Sequence, residues 1–292
     1  MCHKMLVILI TFSFGAIVGS FINVVTYRLP LIIQKNWTHH SSNFLKSQGI
    51  TITDLGDKHE QERFNLLWPP SHCPNCKHKI KPWENIPLLS YIFLKKKCSN
   101  CSQRISFQYP LTELLSGFLT MFLVYNFGLS ALSFAFMLLV WPLLTITVID
   151  FNHQLIPDEI TQPLIWLGLF INAVGLKTEV SLHQAVLGAI LGYLSLWTVN
   201  WIFKLIRRKD GLGQGDFKLL AAIGAWLGWQ CLTATIILSS LTGAIVGIYM
   251  VTALGRDKNL SIPFGPYLSA AAFIFIIWGP QINNFYVTNI LR

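Results

Sequence analysis

Charged residues are scarce in this sequence. Lys, Arg, Asp and Glu together make up 12% of the 292 residues, about half of the roughly 25% that globular domains usually carry. Apolar residues make up 53%, and long stretches contain almost no charge. This composition excludes an ordinary soluble protein and predicts an integral membrane protein.

Several familiar sequence patterns are also missing. No small-residue cleavage site follows the first apolar run, Met5 to Val25, so this run predicts a retained helix rather than a cleaved signal peptide. No glycine-rich cofactor loop follows a strand, because the chain has hardly any strand pattern. The six cysteines do not suggest a disulfide framework, because four of them lie in two tight pairs.

The apolar runs predict an all-α polytopic membrane protein with about eight transmembrane helices. After the first helix, turn residues separate seven further runs. These lie near 111–127, 130–149, 159–176, 182–203, 218–229, 232–254 and 264–280. The predicted organisation is a first transmembrane helix at 1–27, a zinc-binding domain at 28–110 and a seven-helix core at 111–292.

The basic residues orient the chain. The polar segment from Arg28 to Pro110 carries twelve of the 22 Lys and Arg, and placing it in the cytosol puts nineteen of the 22 on that side. The positive-inside rule therefore predicts a cytosolic zinc-binding domain and two external termini. Within this segment, residues 34–66 are predicted to be weakly structured. The net charge of +9 reflects this distribution, and no nucleic-acid partner is expected.

Two C-x-x-C pairs predict a metal site. Cys73 and Cys76 are followed, after 21 residues, by Cys98 and Cys101. Two such knuckles are the usual framework of a tetrahedral four-cysteine zinc site, and two disulfides are the alternative. The cytosolic placement favours zinc, because disulfides persist in oxidising compartments. The segment between the knuckles, Trp83 to Tyr91, is typical of a packing surface, so we expect the zinc to be structural.

Two carboxylates, Asp150 and Asp216, are the candidate catalytic residues. Each lies at the end of an apolar run, and the two predicted crossings between them place both on the cytosolic side. Either acid alone fits a helix cap or an ion pair with lysine. Together, two converging acids would share one proton, the arrangement that aspartic proteases use. Gly213 and Gly215 beside Asp216 allow another backbone to approach closely.

Several motifs resemble one family in their order along the chain. The first motifs are Gly19 to Val25 with Arg28-Leu29-Pro30, and Glu84 to Pro87 with Ser90-Tyr91. After them come, in order, Asp150, Ile156 to Asp158, Gly213 to Asp216 and Ile262 to Pro266. This set resembles the type IV prepilin peptidases, bifunctional leader peptidase/N-methyltransferases of bacterial inner membranes. The sequence departs from the family pattern at Lys95 to Lys97, where a glycine is expected, and at Gln214.

The resemblance implies a function. It implies that Asp150 and Asp216 are the catalytic pair of a GxGD-type aspartyl protease. It also implies cleavage of type IV prepilins or pseudopilins after a glycine, on the cytosolic face, and methylation of the new N-terminus with S-adenosylmethionine. Gly19, Ser20, Asn23 and Arg28 lie in the region tied to the methyl transfer by resemblance, without assigned roles.

Two other functional classes remain open from the residues. A proton- or cation-coupled transporter with a regulatory zinc domain would use the acids as a relay, although no inverted repeat relates the two halves of the chain. A scaffold that docks a secretion machine through the zinc domain would leave both acids unexplained. The residues do not distinguish pilus assembly from type II secretion.

Overall fold

A computed structural model describes residues 2–49, 64–176, 180–209, 211–253, 255 and 262–289. In these residues the architecture is all-helical, and the only strand-like pairing is two isolated bridges, His72 with Lys79 and Lys97 with Arg104. The helices are α1 (Cys2–Ser47), α2 (Leu89–Phe93), α3 (Gln108–Phe127), α4 (Ala131–His153), α5 (Asp158–Val174), α6 (Leu182–Arg207), α7 (Gln214–Leu227), α8 (Gln230–Thr252) and α9 (Gly265–Asn289). The all-α prediction is confirmed, and each predicted span has a helix at its position.

Five of these helices are long and apolar enough to cross a membrane: α1, α4, α6, α8 and α9. The prediction of a multi-pass membrane protein is therefore confirmed, whereas the number of eight crossings stays a prediction. Helix α7 has 14 residues and is about 21 Å long at 1.5 Å per residue. A bilayer core is about 30 Å thick, so α7 alone is too short to cross it.

Helix α1 is longer than its sequence pattern indicated. It has 46 residues and continues through Pro30 to Ser47, so the prediction of weak structure is wrong for residues 34–47. The physical reason is that neither glycine nor proline occurs between Pro30 and Gly49, and polar residues propagate a helix that has already been nucleated. The chain turns at Gly49, which has a φ of +75°, a value that glycine adopts without a Cβ penalty. Residues 50–63 lie outside the described ranges.

The chain forms two compact units. The small unit is Leu9–Phe118, and the large unit is Met1–Ile8 with Leu119–Arg292. The predicted boundaries at residues 27 and 110 stay a prediction.

Helix α7 is the centre of the large unit. Eleven of its 14 residues are buried, and it packs against α5, α6, α8 and α9. Small residues permit α6 to approach α7 closely, since a Cβ on Gly188 of α6 would lie 2.2 Å from the carbonyl oxygen of Gly224 of α7. The Trp226 indole N–H donates to the carbonyl of Leu164, and the Asn172 amide donates to the carbonyls of Ala225 and Trp226. These contacts hold the C-terminal part of α7, whereas Asp216 lies in its first turn.

The small unit joins the knuckle region to two helices. In α1, a Cβ on Gly19 would lie 2.7 Å from the Cα of Glu113 in α3, so only glycine permits this contact. The Ser116 hydroxyl also donates to the carbonyl of Gly15 at 2.7 Å. A backbone hydrogen bond closes each knuckle: the N–H of Lys77 donates to the carbonyl of Cys73, and the N–H of Ser102 donates to the carbonyl of Cys98.

Candidate active site

Asp150 and Asp216 lie at helix ends within the large unit. Asp150 is in the last turn of α4, which ends where Gln154 adopts a left-handed conformation, and Asp216 is in the first turn of α7. Both side chains are buried, at 5% and 7% exposure. The charge of Asp150 acts on Asp216, so the structure brings the two predicted acids into one site.

A glycine holds the carboxylate of Asp150. The Gly265 backbone N–H donates to Asp150 Oδ2 at 2.9 Å. A Cβ at Gly265 would lie 2.8 Å from the same oxygen, closer than a real Cβ contact allows. Gly265 belongs to the Ile262 to Pro266 motif, but sequence reasoning did not connect that motif to Asp150. The only sequence feature that could have indicated this contact was a glycine at the start of an apolar run.

Ile156 packs beside both acids. A Cβ on Gly215, the neighbour of Asp216, would lie 2.6 Å from Ile156 Cβ, and one on Gly265 would lie 3.2 Å from Ile156 Cδ1. The prediction that Gly215 permits close approach therefore fits the geometry, with Ile156 as the approaching residue. A Cβ on Gly213 would lie 3.3 Å from Asp216 Oδ2. The glycines let the loop after α4 pack directly against the start of α7.

The two carboxylate oxygens of Asp216 differ in their surroundings. Asp216 Oδ1 is buried and has no hydrogen-bond partner among the described residues. A buried acceptor without a partner is destabilising, and such groups are often found where a water or substrate binds. Two buried carboxylates, one with an unused oxygen, can exchange a proton with a water placed between them.

An ion pair links the helices that flank the site. Lys218 Nζ lies 2.7 Å and 2.6 Å from the two carboxylate oxygens of Asp158. Asp158 does occupy the first turn of α5 with Glu159, as a residue that favours the helix dipole would. The contact with Lys218, two residues after Asp216, was missed by sequence reasoning. The available signal was a lone lysine in an apolar run.

The four paired cysteines converge in the small unit. Their sulfurs all lie within 4.8 Å of one another, with 3.8 Å between Cys73 and Cys101 and 4.0 Å between Cys76 and Cys98. Tetrahedral ligands at a zinc–sulfur distance of about 2.3 Å lie about 3.8 Å apart. All four cysteines are free, so the cluster has the geometry to hold a zinc ion.

Backbone N–H groups of the knuckles favour the thiolate form of two of the four cysteines. The backbone N–H of His78 lowers the pKa of Cys76 to about 6, and the N–H groups of Cys101 and Asn100 lower the pKa of Cys98. The Asn100 amide also lies 3.7 Å from the sulfur of Cys76. Because a thiolate is the metal-binding form of cysteine, these donors suit a metal centre.

Known sequences match both units of the chain. The family of bacterial peptidase A24 N-terminal domains matches residues 13–127, and the type IV leader peptidase family matches residues 137–248. A protein of Pseudomonas aeruginosa is 46% identical over 98% of this chain and 95% of its own length. This chain belongs to the type IV leader peptidase family.

Three curated relatives of this family member share one name. The Pseudomonas aeruginosa protein is a "Prepilin leader peptidase/N-methyltransferase". So are a protein of Neisseria gonorrhoeae, 41% identical over 95% of this chain and 94% of its own length, and one of Legionella pneumophila, 39% identical over 94% and 92%. No solved structure matches the chain.

Proposed function

We propose that this protein is a membrane aspartic endopeptidase that removes the leader peptide of type IV prepilins or pseudopilins and N-methylates the new N-terminal residue. Family membership and the relatives' common name support both activities. The observation that carries the peptidase assignment is the buried pair of Asp150 and Asp216, with one Asp216 oxygen unpartnered among the described residues. A transporter, the alternative from the sequence, does not fit this family.

The geometry supports a general acid–base mechanism. The ionised carboxylate takes a proton from water, and the protonated one donates to the carbonyl oxygen of the scissile peptide. The water oxygen bonds to the carbonyl carbon, the carbon–nitrogen bond breaks, and the leaving nitrogen takes up a proton. Gly265 orients Asp150 through its N–H, so Asp150 keeps a fixed position as the proton moves.

Charge distribution supports cleavage on the cytosolic face of a bacterial inner membrane. Asp150 lies near the polar end of α4, and the segments predicted on the same side carry most of the basic residues. The positive-inside rule places that side in the cytosol. An extended prepilin segment could then reach the acid pair at the polar edge of its own apolar helix.

We propose that the four-cysteine cluster binds one structural zinc ion. Cys73, Cys76, Cys98 and Cys101 would supply the four ligands, and the sulfur spacing fits a tetrahedron. A closed set of four protein ligands leaves no open position for chemistry. The zinc would therefore hold the knuckle region folded, without taking part in cleavage.

Replacement of each acid by asparagine tests the peptidase assignment. Asp150→Asn and Asp216→Asn should each lower prepilin cleavage by about 10³-fold or more, because each removes a proton-transfer group at nearly constant shape. Glu159→Gln, which neutralises an exposed carboxylate, should cleave like the wild type. Cleavage is measured on gels with purified full-length protein and a prepilin. Full activity in either asparagine variant, at normal protein levels, would refute the assignment.

A further inference from the structure

The segment that leads to Asp216 is a short loop at the protein surface. Helix α6 ends at Arg207, and α7 begins at Gln214. We call residues 208–213 the α6–α7 loop, of which the structure describes all but residue 210, and both glycines of this loop are exposed. Because exposed segments with few buried contacts open easily, the position of Asp216 depends on what anchors this loop.

One side chain of α6 anchors the loop. Asn200 Oδ1 accepts hydrogen bonds from the backbone N–H groups of Gly211 at 2.8 Å and of Leu212 at 3.0 Å. In the part of the chain that the structure describes, no other side chain bonds to the backbone of these two residues. Hydrogen bonds weaken steeply as the N–H turns away from the acceptor, so two bonds to one oxygen fix the direction of this backbone.

Packing on the same helix reinforces the anchor. A Cβ on Gly211 would lie 2.7 Å from Cδ1 of Phe203, so the glycine lies directly against the ring. Phe203 is three positions after Asn200, and residues three apart share one face of a helix. The same helix also contacts α7 itself, since a Cβ on Gly192 would lie 2.7 Å from the carbonyl oxygen of Leu220. Helix α6 therefore holds both the loop and the body of α7.

The anchored loop leads directly to Asp216. Leu212 is followed by Gly213, the N-cap of α7. The N–H of Asp216 donates to the carbonyl of Gly213 at 3.2 Å, and the Asp216 carboxylate interacts with the N–H of Gly213. An acid at the third helical position that reaches back to the N-cap N–H forms half of a capping box. The direction of the carboxylate therefore follows Gly213, and Gly213 follows the two bonds at Asn200.

We propose that Asn200 is a positioning residue of the peptidase, an inference that rests on the peptidase function proposed above. Its amide oxygen holds the backbone of Gly211 and Leu212, and through Gly213 this backbone sets the direction of the Asp216 carboxylate. Asn200 acts through the loop rather than on the reacting atoms, so it sets the rate of the chemical step and not the binding of the substrate.

Replacement of Asn200 tests the inference with purified full-length protein and a prepilin. Asn200→Leu removes the acceptor at similar volume and should lower kcat by about tenfold or more, because a displacement of about 1 Å costs about a hundredfold. The KM should stay unchanged, as expected when only the transition state is affected. Asn200→Asp keeps an acceptor oxygen at the same place and should restore most of the wild-type kcat.

The matched control makes the same substitution elsewhere. The Asn126 amide donates to the carbonyl of Phe122 in its own helix at 2.8 Å, so it holds no loop. Asn126→Leu should therefore cleave like the wild type. Because water can replace the lost acceptor at an exposed loop, the thermal stability of Asn200→Leu should change little. A purely structural role would instead lower thermal stability and leave the kcat of the folded protein unchanged.

Hydrogen exchange of the wild-type protein gives a second readout that needs no variant. The amides of Gly211 and Leu212 should exchange at least about tenfold more slowly than unbonded exposed amides, and Asn200→Leu should remove this protection. Unprotected amides in the wild type, wild-type kcat in Asn200→Leu, or failure of Asn200→Asp to restore the rate would each overturn the positioning role while the peptidase stands. A wild-type protein that does not cleave prepilins would instead refute the proposed function.

Discussion

A single glycine sets the position of one of the two proposed catalytic carboxylates. Gly265 is 115 positions away from Asp150 in the sequence, yet its N–H bonds to the Asp150 carboxylate at 2.9 Å. The missing Cβ matters as much as the N–H, because a methyl group would lie 2.8 Å from the same oxygen. At this scale, the site depends on a backbone group that no side-chain pattern reveals.

Replacement of this glycine by alanine tests the contact. Gly265→Ala should lower cleavage by about a hundredfold, since a displacement of about 1 Å in a reacting group costs that much. Gly243→Ala is the matched control, because the nearest atom to its Cβ would lie at 3.4 Å, an ordinary contact. Initial rates on a prepilin, with Asp216→Asn as the inactive reference, measure the effect. Equal rates for the two alanine variants would argue against a positioning role.

The ion pair between Asp158 and Lys218 connects two helices at their N-termini. It joins α5 to α7 beside Asp216, and its side chains are 49% and 26% exposed. Exposed pairs contribute only about 0–1 kcal/mol, because solvent screens them. We therefore expect the pair to align α7 rather than to add to overall stability.

A double-mutant cycle measures this alignment. Asp158→Asn and Lys218→Met should each lower cleavage by about threefold to tenfold, well below the loss expected from replacing Asp150 or Asp216. The double variant should lose no more activity than the worse single variant. Thermal stability should change little in all three. Fully multiplicative losses in the double variant would mean that the two residues act independently.

The structure of the knuckle region also depends on contacts between residues far apart in the sequence. Cys73 and Cys101 are 28 positions apart with sulfurs at 3.8 Å, and the short α2 helix between the knuckles has no buried residue. A segment with so little apolar core relies on a metal for its folding energy.

Loss of one cysteine should therefore unfold this region. Purified protein should contain close to one zinc per chain, and Cys76→Ser should lower the zinc content and speed proteolysis within residues 60–110. Cys231→Ser, which changes a buried cysteine outside the cluster, should keep its zinc. Metal analysis and limited proteolysis measure both effects. A metal-free protein with two disulfides would contradict the zinc assignment.

At the scale of the whole molecule, the two proposed chemistries use different residues. The acid pair belongs to the large unit, whereas the residues that the resemblance ties to methyl transfer, Gly19, Ser20, Asn23 and Arg28, belong to the small unit. Close packing of α1 on α3 brings Gly19 against Glu113, because a Cβ at Gly19 would meet the Cα of Glu113 at 2.7 Å.

Single substitutions should consequently abolish either leader cleavage or methylation without the other. Asp216→Asn should still methylate a mature pilin whose N-terminus is already exposed, since neither acid handles the methyl group. Gly19→Val should mainly reduce methylation, because its side chain would displace Glu113. A two-substrate assay scores leader removal on a gel and labelled methyl incorporation separately. Loss of methylation in Asp216→Asn, with normal folding, would mean that one site performs both reactions.

The sequence by itself determined the class of protein, the positions of the helices and the candidate groups. Apolar runs and turn residues are local signals, so they located the start of every long helix within a few residues. The C-x-x-C spacing indicated four metal ligands, and Asp150 and Asp216 stood out as acids at the edges of apolar runs. The continuation of α1 to Ser47 was missed, because polar composition resembles a loop even where no residue breaks the helix.

Tertiary structure alone decided how these groups are held. Gly265 meets Asp150, Lys218 meets Asp158 over 60 positions, and Asn23 meets Tyr109 over 86. A cavity of about 560 Å³ in the small unit likewise forms where α1, the knuckle region and α3 pack together. The physical reason is that such contacts join positions far apart in the chain. Hydrophobic patterning fixes each helix separately, whereas the packing of whole helices decides which side chains and backbone groups touch.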